Sequence, residues 1–572
     1  MKTILHFVTP YRGRLALVGV LYMLATLAGL FMPYLMSDIV NVGIRGRNME
    51  YILARGGLML LLAALALLCS LWTTKLNAGV TAGFTEALQT AVFQKINSLT
   101  FEEYAGIGTA SLLTRSTDDV FAVQNAANSV VYAVVTVPVL FIGGAVLAFS
   151  SDWLLSLVLI LLAPVVLLIV CLVTRRLDKL WDNSDRYIDM QNRVVRERLS
   201  GIRVIRAFDK EAHEHRRAAF ATEEMAKNII KANVRMGMIN PVSILLLNLC
   251  TVAMLYIGAV RMQAEPLMQA GDVIATIQYV ALMMNGLLVL SWTFAWLPQI
   301  RVSVRRIAEV LRLPGQPAET AQPERLAGSL RLSHVTFRYP GAETAALTDV
   351  SMEVPEGQIV AVIGGTGSGK TTLMKLLLAF YPPSEGEIRL GERAYDSLSR
   401  ETVRDNFAVA LQKSMIFEGT LAENIRMGNP GASDAAVESA ARDSQLADFI
   451  ASHAEGLAYP LAQAGSNLSG GQKQRVNIAR TIVRDAAVYV FDDSFSALDY
   501  LTESRLRMAL NRRLSGKTQL IVTQRAATAM RCDRIYVLDR GRVVGAGTHE
   551  QLLERCTIYR EIFDSQLGGA GA

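Results

Sequence analysis

Residues 357–380, GQIVAVIGGTGSGKTTLMKLLLAF, run from a short apolar strand pattern through a glycine-rich loop into an apolar helical pattern. Gly364 is followed by four residues and then by the triplet GKT at 369–371, which is the spacing of a phosphate-binding P-loop. The glycines let backbone N–H groups turn towards phosphates, and the N-terminus of the following helix favours anions. In such a loop Lys370 bridges the β- and γ-phosphates, and Thr371 offers its hydroxyl to Mg²⁺. The segment predicts an α/β domain that binds a nucleoside triphosphate with Mg²⁺.

The rest of the 572-residue chain divides by composition. About half of the residues are hydrophobic (51%), and nearly all the long apolar runs lie before Trp296. The net charge of +6 is not gathered into a basic cluster interleaved with aromatic residues, so nucleic acid is not expected as a partner. The five cysteines lack the spacing of a metal site or of a disulfide framework. Composition therefore predicts a membrane part followed by a soluble part.

Six apolar segments are candidates for membrane spans, since a bilayer core of about 30 Å needs about 20 mostly apolar helical residues. They are residues 15–36, 57–72, 130–149, 153–173, 241–260 and 273–297. Lys and Arg residues are concentrated at 2–14 and at 175–179, which places both regions in the cytoplasm. Arg45 and Arg47 argue weakly against this orientation. It is preferred because six spans return the chain to the cytoplasm, where ATP is, so that the N-terminus and the P-loop domain are both cytoplasmic.

Long charged stretches with helical spacing separate the second span from the third and the fourth from the fifth. The helices are expected to continue past the bilayer there, as two long cytoplasmic extensions. A segment rich in Pro, Ala and Gly precedes the P-loop domain and is interpreted as a linker. The predicted domains are a transmembrane domain of six spans at 1–312, the linker at 313–328 and a nucleotide-binding domain at 329–572.

A second motif, NLSGGQKQR at residues 467–475, follows the P-loop. Alone it could be a helix N-cap preceded by a flexible segment. In this order after a P-loop it resembles the signature of an ATP-binding cassette (ABC) domain. The resemblance covers essentially the whole chain, because six spans, long cytoplasmic helices and one cassette follow the order of an ABC exporter half-transporter. The implied fold is an α-helical six-span transmembrane domain of exporter type fused to an α/β P-loop NTPase, the ABC cassette.

The resemblance assigns roles to residues around the P-loop. Tyr339 is similar to the aromatic residue that stacks on adenine, and Gln412 to the glutamine that reaches the metal and the attacking water. Asp492 is similar to the aspartate that holds Mg²⁺ through water, so the implied metal-binding residues are Thr371, Gln412 and Asp492. The implied ATP-binding residues are Tyr339, Gly364, Gly365, Thr366, Gly367, Ser368, Gly369, Lys370, Thr371, Thr372 and Asp492.

The signature and the sequence SALD, which ends at Asp499, are implied to act on another subunit. In the family two cassettes stack head to tail, so each ATP lies between the P-loop of one chain and the signature of the other. One copy of this chain therefore completes no nucleotide site, and a second half-transporter is an expected partner. The residues implied to serve the opposite site are Leu468, Ser469, Gly470, Gly471, Gln472 and Asp499.

Two residues depart from the family pattern at its catalytic contacts. Asp493 stands where a glutamate usually orients or deprotonates the attacking water, and its side chain is one methylene shorter. Gln524 stands where a histidine usually contacts the γ-phosphate; it can donate a hydrogen bond but carries no positive charge. Gln463 likewise replaces a glutamate common in exporters. The combination resembles the degenerate-site subunit of heterodimeric bacterial multidrug ABC exporters, in which the partner brings the glutamate and the histidine.

The predicted function is that of an ATP-hydrolysing translocase whose own site is impaired and whose signature serves a partner. Its substrates would be hydrophobic or amphipathic, such as drugs or lipids, moved out of the cytoplasm or the inner leaflet of a bacterial inner (plasma) membrane. A homodimer with two slow sites is the alternative, and a nucleotide-gated channel or regulatory subunit is an alternative of another class.

The resemblance also implies short helices, near 103–111 and near 196–202, that carry closure of the cassettes to the spans. Trp292, Phe294 and Trp296, near the end of the sixth span, could line a cavity for flat apolar ligands. An interfacial aromatic belt or packing between helices explains them equally well.

Overall fold

The structure, a computed structural model, describes residues 6–264, 268–316 and 324–567; side chains at 264 and in parts of 158–189 and 291–299 lie outside this description. The chain forms two compact units. The first comprises Met1–Asn97 and Ile107–Leu313, and the second comprises Ser98–Gly106 and Pro314–Ala572. The segment 98–106 thus belongs with the second unit, whereas the sequence boundaries put it in the transmembrane domain.

The described part of the chain before residue 313 is mainly helical. Its helices are α1 (Arg12–Asp38), α2 (Met49–Asn97), α3 (Phe101–Ile107), α4 (Thr109–Ser116), α5 (Asp118–Ser151), α6 (Trp153–Ala207), α7 (Glu211–Gly237), α8 (Ile239–Ala264) and α9 (Ala270–Arg312). On α2, Leu60 is 74% exposed and Leu61 is 68% exposed. Large apolar side chains that face outward in this way are suited to a lipid environment.

Five apolar helical stretches in the described part of the chain are long enough to cross a membrane. They are Thr9–Ile44, Met49–Asn97, Thr109–Ser151, Glu211–Gln263 and Ala270–Leu290. The predicted spans other than the fourth overlap these stretches. The predicted span at 153–173 falls on α6, where many side chains lie outside the described residues. Trp292, Phe294 and Trp296 lie outside them as well, so their interpretation stays a prediction.

Two helices extend far beyond the thickness of a bilayer. Helix α2 has 49 residues and α6 has 55, which at about 1.5 Å per residue exceeds twice the ~30 Å hydrocarbon core. After α6 the chain reverses at residues 208–210, where Asp209 has a left-handed φ of +50°. The prediction of a short helix near 196–202 was wrong in position, because those residues lie inside α6. The predicted helix near 103–111 corresponds to α3 and the start of α4.

Polar side chains join the first and last long helices of this unit. The Ser37 hydroxyl and the Asn41 amide donate hydrogen bonds to the same carboxylate oxygen of Asp272, at 2.9 and 3.0 Å. The other carboxylate oxygen accepts the backbone N–H of Gln269 at 3.1 Å, at the start of α9. Each acceptor is thereby paired, which removes the cost of a polar group among apolar helices.

The second unit is an α/β structure. Its strands are β1 (Leu330–Phe337), β2 (Leu347–Val354), β3 (Ile359–Ile363), β4 (Glu385–Leu390), β5 (Arg393–Ala394), β6 (Phe407–Ala410), β7 (Gly419–Thr420), β8 (Pro460–Leu461), β9 (Val488–Asp492), β10 (Thr518–Thr523), β11 (Arg534–Asp539) and β12 (Arg542–Gly547). Its helices are α10 (Lys370–Leu377), α11 (Arg400–Asp405), α12 (Leu421–Arg426), α13 (Asp434–Asp443), α14 (Ala447–Ala451), α15 (Gly470–Ile482), α16 (Tyr500–Arg513), α17 (Ala526–Ala529), α18 (His549–Arg555) and α19 (Thr557–Leu567).

The central sheet has six strands in the order β12-β11-β3-β10-β9-β6, parallel except for the β11–β12 pair. Every residue of β9 and of β10 is buried, as expected for parallel strands that are covered on both faces. Strands β2-β1-β4-β5 form a separate antiparallel sheet. Because the carboxyl ends of β3, β9 and β10 meet at one edge of the central sheet, the loops that follow these strands lie side by side.

Candidate nucleotide-binding site

The loop between β3 and α10 requires glycine at positions where the backbone is crowded. A Cβ atom on Gly364 would lie 2.2 Å from the carbonyl oxygen of Leu538, and one on Gly369 would lie 2.7 Å from Cδ2 of Leu347. Gly369 also has a φ of +108°, which side-chain-bearing residues rarely adopt. The glycine pattern is thus explained by close approach of the loop to β11 and β2.

Lys370 is held inside this loop. Its ammonium group donates to the carbonyl oxygens of Gly364 and Gly365, both at 2.7 Å, and lies 3.3 Å from the Ser368 hydroxyl. Burial lowers the pKa of Lys370, while the nearby carboxylates of Asp493 and Asp492 oppose that shift. A positive charge of this kind, enclosed by a loop at a helix N-terminus, is suited to a polyphosphate.

A cavity of about 500 Å³ lies over the loop. It brings together most of the predicted site residues, although they come from four separate parts of the chain. Those residues are Thr366, Gly367, Ser368, Gly369, Lys370, Thr371, Thr372, Gln412, Asp492, Asp493 and Gln524. Its size is within the range of small-molecule sites. Gly364 and Gly365 are not among the described residues that line the cavity. Their carbonyl oxygens accept the hydrogen bonds from Lys370.

The carboxylates at the end of β9 fit a divalent cation. Asp492 is only 7% exposed, and burial raises its pKa to about 6, with a further upward contribution from Asp493 and a downward one from Lys370. Two neighbouring carboxylates, the hydroxyl of Thr371 and the amide of Gln412 supply the oxygen donors that Mg²⁺ prefers. In the described residues no group of three or more His, Cys, Asp and Glu side chains is placed to hold a metal by itself. Water and nucleotide would have to complete the coordination.

The signature lies apart from this cavity. Ser469 caps α15: its hydroxyl accepts the backbone N–H of Gln472 at 3.3 Å, and its own N–H donates to the Gln472 side chain at 2.7 Å. The described residues that line the cavity include neither 468–472 nor Asp499. Asp499 caps α16 by accepting the N–H of Thr502 at 2.9 Å, and this bond lowers its pKa. Both Ser469 and Asp499 are exposed, so the N-termini of α15 and α16 lie at the surface of the second unit.

Comparison with known proteins agrees with this arrangement. Family models described as "ABC transporter transmembrane region" and "ABC transporter" match residues 15–287 and 347–496. An uncharacterized ABC transporter ATP-binding protein of Mycobacterium tuberculosis (strain H37Rv) is 34% identical, over 99% of this chain and 98% of its own length. The chain is a half-transporter of the ABC exporter family.

Other relatives match this exporter over nearly the whole length of both chains. An uncharacterized ABC transporter ATP-binding protein of Bacillus subtilis (strain 168) is 32% identical, and the match covers 100% of both chains. An ATP-dependent lipid A-core flippase of Vibrio vulnificus is 28% identical, over 99% of this chain and 97% of its own. The solved structure of a bacterial Atm1-family ABC exporter with ATP bound has the same fold, with a TM-score of 0.82, 24% identity and coverage of 97% and 98%.

Tyr339 of the exporter lies beside the P-loop helix but not among the residues that line the cavity. Its hydroxyl is 3.1 Å from that of Thr372, and the ammonium group of Lys375 lies 5.2 Å from its ring centroid. The ring of Tyr381 packs edge-on against it at 5.6 Å. These contacts fix the aromatic ring next to the P-loop helix. The contact of the ring with adenine stays a prediction.

Sequence reasoning missed the β11–β12 turn and the residues before β2 as parts of the cavity wall. These are Ala345, Ala346, Arg540 and Gly541. Gly541 donates to the Ser368 carbonyl oxygen at 2.9 Å and accepts the N–H of Thr348 at 2.8 Å, so the turn braces the P-loop. Arg540 has a left-handed φ of +44° and a side chain that is 94% exposed. Nothing in the local pattern distinguishes this turn from any other hairpin, and only the tertiary fold brings it to the site.

Proposed function

We propose that this exporter subunit binds ATP and Mg²⁺ at a site that hydrolyses ATP poorly, and that it lends its signature to the competent site of a different half-transporter. The single observation that carries the proposal is that Asp493 and Gln524, the two residues that depart from the family pattern at its catalytic contacts, both line the cavity over the P-loop. A glutamate and a histidine at those contacts would supply a longer base and a cationic donor.

Asp493 is a poor replacement for a longer base. Its backbone has a φ of +45°, and its N–H donates to the Val522 carbonyl oxygen at 2.8 Å. The backbone is therefore held against β10, the carboxylate lies near Lys370, and the side chain is one methylene shorter than that of a glutamate. A general base needs heavy-atom contact at about 2.6–3.2 Å, and misplacement by about 1 Å costs roughly a hundredfold in rate.

Gln524, which follows β10 next to the end of β9, supports the same proposal. Its side-chain oxygen lies 3.4 Å from the Thr366 hydroxyl at the rim of the P-loop. A neutral amide there can contact a γ-phosphate, but it provides no positive charge to stabilise the charge that spreads over the phosphate in the transition state. The site would then bind a triphosphate better than it splits one.

The remaining residues have binding roles in this mechanism. Lys370 and the P-loop N–H groups hold the phosphates, while Thr371, Gln412 and Asp492 would hold Mg²⁺ directly or through water. Mg²⁺, when bound, neutralises charge on the β- and γ-phosphates. ATP enclosed between this P-loop and a partner's signature favours closed cassettes, and this differential affinity, rather than hydrolysis alone, drives the change in the spans.

The substrate class is proposed from the membrane unit and its relatives. The outward apolar faces of the helices place the protein among lipids, and two of the relatives are named as lipid A-core flippases in Vibrio vulnificus and Chromohalobacter salexigens. Hydrophobic or amphipathic molecules, such as drugs or lipids, are the proposed cargo, moved out of the cytoplasm or the inner leaflet.

The proposal is tested by restoring the two catalytic contacts. The purified full-length chain, reconstituted alone so that a complete nucleotide site forms only between two of its own copies, is expected to hydrolyse ATP slowly, and the double variant Asp493→Glu/Gln524→His is expected to be at least about tenfold faster. Lys370→Ala in the double variant is the control, since it should abolish turnover. Rapid turnover by the unmodified chain, lost in Asp493→Asn, would overturn the proposal.

A homodimer is the competing assembly. Purification of the chain from its native membrane with a tag separates the two: a second half-transporter in equal amount supports the heterodimer, whereas self-association alone, with slow turnover at both sites, supports the homodimer.

A further inference from the structure

The C-terminal helix α19 reaches the loop that carries Gln524. The side-chain amide of Gln566 donates to the backbone carbonyl oxygen of Gln524 at 2.8 Å, and its carbonyl oxygen accepts the backbone N–H of Ala526 at 2.8 Å. One side chain thus holds the donor and the acceptor on either side of Arg525, much as a neighbouring strand would. This pair of bonds fixes the backbone at residue 524 more firmly than a single bond could.

Helix α19 is itself firmly attached to the cassette. Tyr559 has no exposed surface and belongs to an apolar cluster with Ala526 and Ala529 of α17 and with Leu552 of α18. The Tyr559 hydroxyl also lies 2.8 Å from Nδ1 of His549. Gln566 therefore extends from an anchored helix, and its position is defined by packing.

The opposite side of the same loop is held by Arg525. Its guanidinium donates to the Ser496 carbonyl oxygen at 2.7 Å and to the Glu503 carboxylate at 3.2 Å. Glu503 in turn pairs with Arg507 at 3.0 Å. With contacts on both sides, the loop has little freedom, and the Gln524 side chain stays at the cavity wall.

We infer that Gln566 is a positioning residue for nucleotide recognition: by fixing the backbone of residue 524, it places the Gln524 side chain for contact with the γ-phosphate. The inference rests on the proposed function, since it needs Gln524 to meet that phosphate. In a P-loop the backbone N–H groups hold the α- and β-phosphates and Lys370 bridges the β- and γ-phosphates, and none of these contacts involves Gln566. The C-terminal helix therefore affects the preference of the site for a triphosphate over a diphosphate, and not its affinity for nucleotide in general.

The experiment compares the affinities of the full-length protein for Mg²⁺–AMP-PNP and Mg²⁺–ADP by calorimetry in detergent. For Gln566→Ala, AMP-PNP is expected to bind about fivefold more weakly, while the Kd for ADP stays within about twofold, because the loss is that of one positioned hydrogen bond. Gln524→Ala is expected to give the same pattern. Ser565→Ala, a neighbour whose hydroxyl donates to the Ile562 carbonyl oxygen within α19, is expected to change neither constant.

The outcomes separate the inference from the proposed function. If Gln524→Ala weakens AMP-PNP selectively but Gln566→Ala weakens both nucleotides alike, or neither, Gln566 is only a structural residue and the inference fails. If Gln524→Ala itself leaves the affinity for AMP-PNP unchanged, Gln524 does not contact the γ-phosphate, and the inference about Gln566 fails for that reason. The turnover of the Asp493→Glu/Gln524→His variant tests the impaired site separately from either result.

Discussion

Two adjacent carboxylates face one buried lysine at the end of β9. Asp492 is the more buried of the two, and burial raises its pKa to about 6. Burial also lowers the pKa of Lys370. Each shift reflects the cost of a charge away from water, only partly offset by the opposite charge. Asp492 is therefore expected to change its protonation at a higher pH than an exposed aspartate does, near pH 6.

This raised pKa predicts a pH-dependent affinity for Mg²⁺. As pH falls through about 6, Asp492 takes up a proton and loses the charge that would attract the hydrated cation. Proton and metal compete, so the gain in AMP-PNP affinity on adding Mg²⁺ is expected to fall by up to about tenfold between pH 7 and pH 5. Calorimetry with Mg²⁺ and with EDTA at both pH values measures this gain.

The matched variant for this measurement is Asp492→Asn. Its amide is nearly isosteric and does not titrate, so its Mg²⁺ effect should be small, and any change in it between pH 7 and pH 5 reports the titration of the nucleotide phosphates alone. The fall in the unmodified protein is expected to exceed that change. An unmodified protein whose Mg²⁺ effect is equal at pH 7 and pH 5 would contradict the role given to Asp492.

At the scale of helices and strands, a sequence pattern predicts an element when the pattern follows from the backbone geometry of that element. The glycine spacing that predicts the P-loop is of this kind, because Leu538 and Leu347 leave room only for glycine at Gly364 and Gly369. The short helix expected near 196–202 was misplaced because one helix continues through residues 196–207, and the turn that follows it uses Asp209, not a glycine, at a positive φ.

Other features had no local signal. Arg540 belongs to a hairpin turn that only the fold brings to the cavity. Gln566 lies 42 residues after Gln524 in the sequence, and its two hydrogen bonds depend on how α19 packs against α17. Such contacts follow from tertiary structure, so neither periodicity nor motif spacing could have indicated them.

Ser469 has a structural role that can be separated from its predicted role in the opposite site. Its hydroxyl caps α15, so Ser469→Ala is expected to cost about 1 kcal/mol of stability. Ser469→Asp keeps a good cap and should unfold near the midpoint of the unmodified protein. The carboxylate would, however, face the partner's triphosphate, so the ATPase rate of the assembled transporter is expected to fall more than about tenfold.

Thermal unfolding and ATPase assays of the same two variants measure these effects. A transporter with Ser469→Asp that hydrolyses ATP at the unmodified rate would indicate that the signature does not meet a phosphate. A fall in rate that follows the loss of stability, present in Ser469→Ala and absent in Ser469→Asp, would mean that Ser469 is only a helix cap.

For the whole molecule, the separation of the P-loop cavity from the signature has a direct consequence. Ser469 and Asp499 cap surface helices, and the described residues that line the cavity include neither of them. This separation is what the proposed function requires, in which each nucleotide site of the assembled exporter combines the P-loop of one chain with the signature of the other. Under that proposal, a partner with a glutamate and a histidine in place of Asp493 and Gln524 makes the two sites of one transporter chemically unequal.

If one site hydrolyses ATP poorly and the other efficiently, ATP bound at the first site is expected to keep its γ-phosphate longer. The assembled transporter is incubated with 8-azido-ATP labelled at the α- or the γ-phosphate, freed of excess nucleotide and irradiated, and the two chains are separated. This chain is expected to keep both labels, because its site holds ATP without splitting it, while the partner keeps only the α label. In Lys370→Ala the label on this chain should disappear, which confirms that it marks this P-loop. Equal loss of the γ label from both chains would mean that both sites hydrolyse ATP at similar rates. That result would contradict the proposal that the site of this chain is impaired.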